Sequence, residues 1–266
     1  MFRPALAFAC IAALGTAGAV AQTAAPSREI AAAVASSSRT PANVGRDRYR
    51  HPAETLAFFG VKPTDTIVEF YPGGGWYTEI LAPLVKGRGQ YVALVAPQQA
   101  ERARAMLAGK AAGFGPTRVE TVDGKTGAST LPAGAADVVL TFRNVHNFLM
   151  ADDPAVAGNM FKAFYAALKP GGTLGVVDHR LPEDMDAAAE KTSGYVKRST
   201  VVRLAEEAGF RLAGESNVNA NPKDTHDHPE GVWTLPPSLA LKDVDRAKYQ
   251  AIGESDRFTL KFVKPR

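Results

Sequence analysis

The chain has 266 residues, 45% of them hydrophobic, enough for one large domain or two small ones with a substantial core. Its formal net charge is +4, yet the basic residues are dispersed and no long Lys/Arg run occurs, which argues against nucleic acid as a partner. A single cysteine, Cys10, rules out an intrachain disulfide.

Arg3 is the one positive side chain ahead of an apolar run from Ala5 to Val20, and Ala19-Val20-Ala21 fits a small-x-small site before cleavage at Gln22. Residues 1–21 therefore read as a secretory signal peptide, which makes the protein exported, to the periplasm, with no stable membrane span after cleavage. The alternative is an uncleaved anchor; the brevity of the run and its Ala and Gly content favour cleavage. Cys10 lies inside this segment, so the mature chain would hold no thiol and would depend on its core alone. Residues 22–45 are rich in Ala, Ser, Thr and Pro and read as a linker or an N-terminal strap, with a helix over Arg28 to Ala35. Residues 46–266 read as one domain.

Arg46, Arg48, Arg50 and His51 stand just before a helix that Pro52 opens and Gly60 closes, with Leu56 and Phe59 facing the core. That basic segment is either a solvated face or a flap able to close over a ligand carboxylate. A regular alternation follows. Strands are expected at Thr66–Phe70, Gln90–Val95, Arg118–Val122, Asp137–Phe142, Thr173–Val177, Arg211–Ser216 and Phe258–Val263. Helices are expected at Trp76–Val85, Gln98–Leu107, Pro154–Leu168 and Ser199–Ala208. The fold class is α/β: a Rossmann-like, doubly wound, seven-stranded and mostly parallel sheet. The last two strands show no helix between them, only a long Pro- and His-bearing segment from Asn217 to about Asp245, so the last strand is expected to be antiparallel.

Open α/β sheets bind ligands at the carboxyl ends of their strands. The first strand ends in Glu69, followed by Tyr71, Pro72 and the run Gly73-Gly74-Gly75. Glycines there remove the Cβ that keeps a ligand off the backbone, and the next helix starts with unpaired N–H groups. The lesser alternative for the loop alone is a tight βα turn without a ligand. The third strand ends near Asp123, the fourth at Arg143-Asn144-Val145-His146-Asn147 and the fifth at Asp178-His179-Arg180. His146 and His179 are general-base candidates because histidine titrates near neutrality, although either can serve only as a loop hydrogen-bonder. Asn144 suits a ligand amine or carboxylate, or the ordering of its own loop, and Asp178 suits orientation of His179 or substrate binding. His226-Asp227-His228 has the look of a metal cluster, but it offers too few ligands at that spacing, and no metal is assigned. A lid over the pocket is the preferred reading of that segment. No G-x-S-x-G elbow and no Walker lysine is present.

Glu69-x-x-x-Gly73-x-Gly75, the Leu168-Lys169-Pro170-Gly171-Gly172 turn and the terminal strand pair resemble a class I S-adenosylmethionine-dependent methyltransferase. More narrowly, Arg50-His51-Pro52, the stretch from Glu69 to Tyr77, and Phe142-Arg143-Asn144-x-His146-Asn147 resemble a group of bacterial methyltransferases bearing signal peptides. The resemblance spans about residues 46–266. It implies S-adenosylmethionine as cofactor, contacts from Glu69, Pro72, Gly73, Gly74, Gly75 and Asn144, Asp123 near the adenine, and methyl transfer to a small molecule. Two positions depart from the pattern: Tyr71 replaces the first glycine of the loop, and Val95 or Ala96 falls where a ribose-binding carboxylate is usual, with Gln98 or Gln99 the nearest substitutes. These departures motivate a second reading, a non-catalytic exported binding protein on the same fold. A dehydrogenase is a third, disfavoured by the reversed final strand pair.

Overall fold

The computed structural model describes residues 25–110 and 113–266; residues 1–21, read above as a signal peptide, and Cys10 among them lie outside the described residues. The strands are β1 (Thr66–Phe70), β2 (Gln90–Val95), β3 (Thr117–Thr121), β4 (Ala136–Phe142), β5 (Leu168–Leu181), β6 (Val196–Lys197), β7 (Arg211–Ser216) and β8 (Arg257–Val263). The helices are α1 (Arg28–Val34), α2 (Pro41–Val44), α3 (Asp47–Arg50), α4 (Pro52–Phe59), α5 (Thr78–Val85), α6 (Ala100–Ala108), α7 (Val145–Leu149), α8 (Ala155–Ala167), α9 (Arg198–Glu207) and α10 (Arg246–Ile252).

The sheet runs β3-β2-β1-β4-β5-β8-β7, with two-residue β6 paired to β5 beside this path. Neighbours are parallel from β3 to β5, whereas β8 is antiparallel to both β5 and β7. The seven-stranded, mostly parallel sheet with an antiparallel end expected from the alternation is therefore present. Alternate residues of β1 feed opposite faces, as the period of a strand requires. Ile67 packs with Leu56, Ile80 and Leu81 of α4 and α5, and Val68 and Phe70 with Phe161 and Phe164 of α8. Each face thus has its own core, which makes the sheet doubly wound. Gly175 of β5 has a packing reason: a Cβ there would stand 2.8 Å from the ring of Phe59 and 2.7 Å from Leu140.

Three elements differ from expectation. β5 is not confined to Thr173–Val177 but continues through the Lys-Pro-Gly-Gly turn, because Gly171 N donates to Lys264 O and Lys264 N donates to Gly172 O. A helix, α10, does stand between β7 and β8; its seven residues span about two turns and carry little periodic signal. The segment read as a linker or strap is helical and packed. Ile30 of α1 is buried in the core beneath α4 and α5, and Arg39 forms a two-point pair with Asp47 at 2.6 and 2.8 Å. Glu79 at the start of α5 fastens the strap by accepting from Thr40 N, Thr40 Oγ1, Asn43 Nδ2 and Lys110 Nζ. Among the described residues no helix is long and apolar enough to cross a membrane.

Candidate functional site

The order of the strands reverses at β1 and β4, so their carboxyl ends open a crevice. A cavity of about 400 Å³ lies there, within the range of small-molecule sites. One wall is the turn after β1. Glu69 is buried, and its Oε2 accepts from Thr78 Oγ1 at 2.8 Å and Tyr91 Oη at 2.7 Å. Oε1 has no protein donor among the described residues, and Glu69 lines the cavity. Burial raises its pKa to about 7, against the lowering effect of the two hydroxyls.

Tyr71 stands at φ 52°, the left-handed region in which the usual glycine would be at ease, and donates its N–H to Leu94 O at 2.9 Å. Pro72, Gly73 and Gly74 line the cavity. Gly75 does not: it turns at φ 83°, and a Cβ there would meet Met106 Sδ at 2.9 Å, so its need is one of packing against α6. Beyond the turn, a second depression of about 90 Å³ is lined by Tyr71, Gly73, Val95, Gln99 and Arg102. Gln99, not Gln98, is the glutamine beside the loop. Asp123 lines neither space; its Oδ1 accepts from the N–H groups of Lys125 and Thr126 and shapes the loop after β3.

The end of β4 supplies the opposite wall. Asn144 Nδ2 donates to Phe70 O at 3.1 Å and to Thr141 Oγ1 at 3.3 Å, tying the two strand ends together. His146, on α7, and His179, on β5, both line the cavity with ring centroids 5.2 Å apart. Asp178, fully buried, joins them. Its Oδ2 accepts from Val145 N (2.6 Å) and His146 N (3.3 Å), and its Oδ1 from His179 N (2.8 Å) and His146 Nδ1 (2.9 Å).

This network fixes the tautomer of His146. With three backbone donors on it, Asp178 can only accept from His146 Nδ1, so that nitrogen carries the proton and His146 Nε2 is left as a base. His179 has the opposite arrangement. Its Nδ1 lies 2.5 Å from Ser255 Oγ, which already accepts from Arg257 Nε at 3.3 Å and so has its own proton to give. With Ser255 donating to Nδ1, it is His179 Nε2 that carries hydrogen. Burial first, then His146 and three nearby arginines, push the pKa of His179 well below its ordinary value, so it stays neutral. The sequence offered these histidines as equals, and offered Asp178 to His179 rather than to His146. Their ligand atoms and those of Asp178 lie within 4.8 Å of one another, but both oxygens of Asp178 are already occupied by N–H donors.

The His-Asp-His stretch lies elsewhere. His228 Nε2 is 2.9 Å from Asp224 Oδ1 and His226 Nε2 is 3.4 Å from Asp256 Oδ2, while Asp227 faces Thr225 at the surface. Asp224 also accepts from Tyr195 Oη and Asp256 N, so this cluster clasps the long segment in place. The segment then covers the cavity with Trp233, Pro236 and Pro237.

No protein-family model matches the chain, and no curated protein sequence matches it. Solved structures do. An S-adenosylmethionine-dependent methyltransferase from Aquifex aeolicus matches with a TM-score of 0.55 and 15% identity, over 83% of this chain and 93% of that one. An arsenic(III) S-adenosylmethionine methyltransferase from Chlamydomonas reinhardtii matches at 0.52 and 15%, over 91% and 75%. The [4+2]-cyclase SpnF matches at 0.54 and 14%, over 79% and 78%. The chain has the α/β, Rossmann-like methyltransferase fold with an antiparallel end to its sheet. A cyclase among these neighbours shows that the fold hosts more than one chemistry, so function must be argued from the site.

Proposed function

We propose that the protein is an S-adenosylmethionine-dependent methyltransferase acting on a small molecule. The observation that carries this reading is the meeting of Glu69, the open glycine turn and the Asp178–His146 pair in one cavity at the switch point of a methyltransferase-type sheet. The residues present fit the cofactor. Nothing lies within 4 Å of a Cβ built on Gly73 or Gly74, so the backbone of the turn is open to a ligand. Glu69 Oε1 and the side chains of Gln99 and Asn144 supply polar partners for an ammonium or hydroxyls nearby.

When bound, the cofactor supplies a sulfonium methyl carbon that an acceptor oxygen or nitrogen attacks in line, the carbon–sulfur electron pair remaining on sulfur. His146 Nε2 receives the proton that the acceptor loses. Asp178 holds the imidazole in the basic tautomer and stabilises its charge once protonated. His179 orients the acceptor by donating Nε2–H. Trp233 and the proline pair exclude water above the site. Export to the periplasm belongs to the same proposal, as does membership of the signal-bearing group; N-terminal sequencing of the secreted form should begin at Gln22.

Calorimetric titration tests the core of the reading. Heat with S-adenosylmethionine and with S-adenosylhomocysteine is expected, and silence with both would sink it. Once an acceptor is found in a methylation screen, His146→Gln should lower kcat on the order of 10²-fold or more. His179→Gln, which keeps a donor, should cost less.

A second reading, a non-catalytic binding protein, is favoured by Val95 at the end of β2, where no carboxylate stands to grip a ribose. Tight ligand binding without methylation of any acceptor across a broad screen would support it.

A further inference from the structure

The methyl-transfer reading leaves a charge pattern unused. Arg46, Arg50, Arg143 and Arg257 all line the cavity, and the carboxylate facing them is Glu254. Glu254 is fully committed: Oε1 accepts from Arg46 Nε at 2.7 Å, and Oε2 from Arg50 Nε at 3.0 Å and Arg257 Nη2 at 2.6 Å. The Nη2 groups of Arg46 and Arg50 are buried and have no hydrogen-bond partner among the described residues. Arg50 is only 3% exposed and is held over the Trp76 ring at 4.7 Å. Arg143 sits at φ 62°, and its guanidinium forms no ion pair or hydrogen bond among the described residues. Burial and the neighbouring Arg257 bring its pKa down to about 10, which leaves it charged at neutral pH. The other carboxylate near Arg143 is Asp178, whose oxygens are taken by His146 and backbone N–H groups. Arg50, Arg143 and Arg257 also line one small niche together, against the Tyr77 ring that stacks on Phe142 at 3.6 Å.

Unpaired buried guanidinium donors are costly, and planar oxyanions are their best partners. The cofactor cannot fill this role alone. It brings a sulfonium and an ammonium against one carboxylate, so its arrival adds positive charge to a cavity already in surplus. We infer that the methyl acceptor is itself an anion, a small molecule whose carboxylate or phosphate docks against Arg143, Arg50 and Arg46. Its identity as the methyl acceptor rests on the methyl-transfer reading; the anion site rests on the arginines.

The test is calorimetry of the full-length protein at fixed ionic strength, with malonate and, separately, inorganic phosphate as probes. Each titration is run with and without S-adenosylhomocysteine, for wild type, Arg143→Gln and Arg46→Gln. At least one anion should bind wild type, weaken at least tenfold in each variant, and weaken with added chloride. Whether malonate or phosphate binds identifies the headgroup. Circular dichroism checks that the variants fold; Arg46, at 26% side-chain exposure, carries the test if Arg143→Gln does not. No heat from either anion, or equal affinity in wild type and folded variants, would overturn the inference. If the anions bind and S-adenosylhomocysteine does not, methyl transfer falls and the anion site stands. The reverse result removes the anion site and leaves methyl transfer in place.

Discussion

Glu69 and Glu254 are the same residue type, each 3% exposed, on the wall of the same cavity, yet they are held in opposite states. Burial raises Glu69 to about 7 because its partners, Thr78 and Tyr91, are neutral hydroxyls. Burial acts on Glu254 in the same direction, but Arg257, Arg50, Arg46 and Arg143 outweigh it and bring the group down to about 2. What surrounds a buried carboxylate, rather than burial itself, decides its charge. The cavity therefore has one end whose proton is exchangeable near neutrality and another that is ionised throughout the physiological range.

The largest expected effect comes from removing the ionised member. Glu254→Gln leaves three guanidiniums without their shared counter-ion and should cost about 3–5 kcal/mol in urea unfolding. The same linkage predicts acid sensitivity. The folded pKa lies below the ordinary 4.5, so the stabilisation is complete above pH 4.5 and is lost as pH falls toward 2. Loosening of α3 from the loop after α10, read by proteolysis around Arg46–Arg50, should follow that window. A flat stability curve across it would break the comparison.

Glu69→Gln should act with the opposite sign. The folded pKa is raised, so the folded state carries no penalty below pH 4.5 and an increasing one as pH rises through 7. At pH 8 the substitution should stabilise the protein by about 3 kcal/mol, from the shift of 4.5 to about 7. It should also weaken S-adenosylhomocysteine binding at least tenfold, since the amide oxygen stays on the Thr78 and Tyr91 hydroxyls and the amide NH2, a donor, replaces the acceptor that faces the cavity. A variant that is both less stable and unchanged in binding would remove Glu69 from the site.

Much of this frame was legible in the sequence, and the reason is locality. β1, its glycine turn and α5 are contiguous, and their apolar periods and turn residues sit within one window of residues 66–85. The pairing that separates the two glutamates is not local. Arg46 and Glu254 are 208 positions apart and meet only because β8 runs antiparallel to β5 and brings the loop after α10 to the cavity. No pattern around Glu254-Ser255-Asp256-Arg257 distinguishes it from a surface turn. The histidines were visible as types but not as roles, because Asp178 lies beside His179 in sequence while its carboxylate lies against His146 Nδ1. The short helices α2, α3 and α7, of four or five residues, hold too few turns for a period to show.

A smaller effect sharpens the Glu69 end without mutating it. If a ligand ammonium or hydroxyl donates to Glu69, the ionised form binds and the protonated form does not. Affinity for S-adenosylhomocysteine should then rise as pH rises toward and past 7, and fall up to tenfold per pH unit below it. Calorimetry from pH 5.5 to 8.5 reads this directly, and Glu69→Gln should flatten the profile.

The smallest effect separates the arginines of the other end. Arg46 is 26% exposed and Arg50 is 3% exposed, although both donate Nε to Glu254. Water screens the first pair and not the second. Arg46→Gln, at the wet mouth of the cavity, should therefore cost only about 1 kcal/mol in unfolding, whereas Arg50→Gln takes the charge from a fully buried pair and costs more. The acid midpoint sharpens the same contrast. Removing either arginine lifts the folded pKa of Glu254 back toward 4.5, so stability starts from a lower plateau but loses less between pH 4.5 and 2. That narrowing should be slight for Arg46→Gln and plain for Arg50→Gln; equal narrowing would mean that exposure at the cavity mouth does not weaken the Arg46 pair.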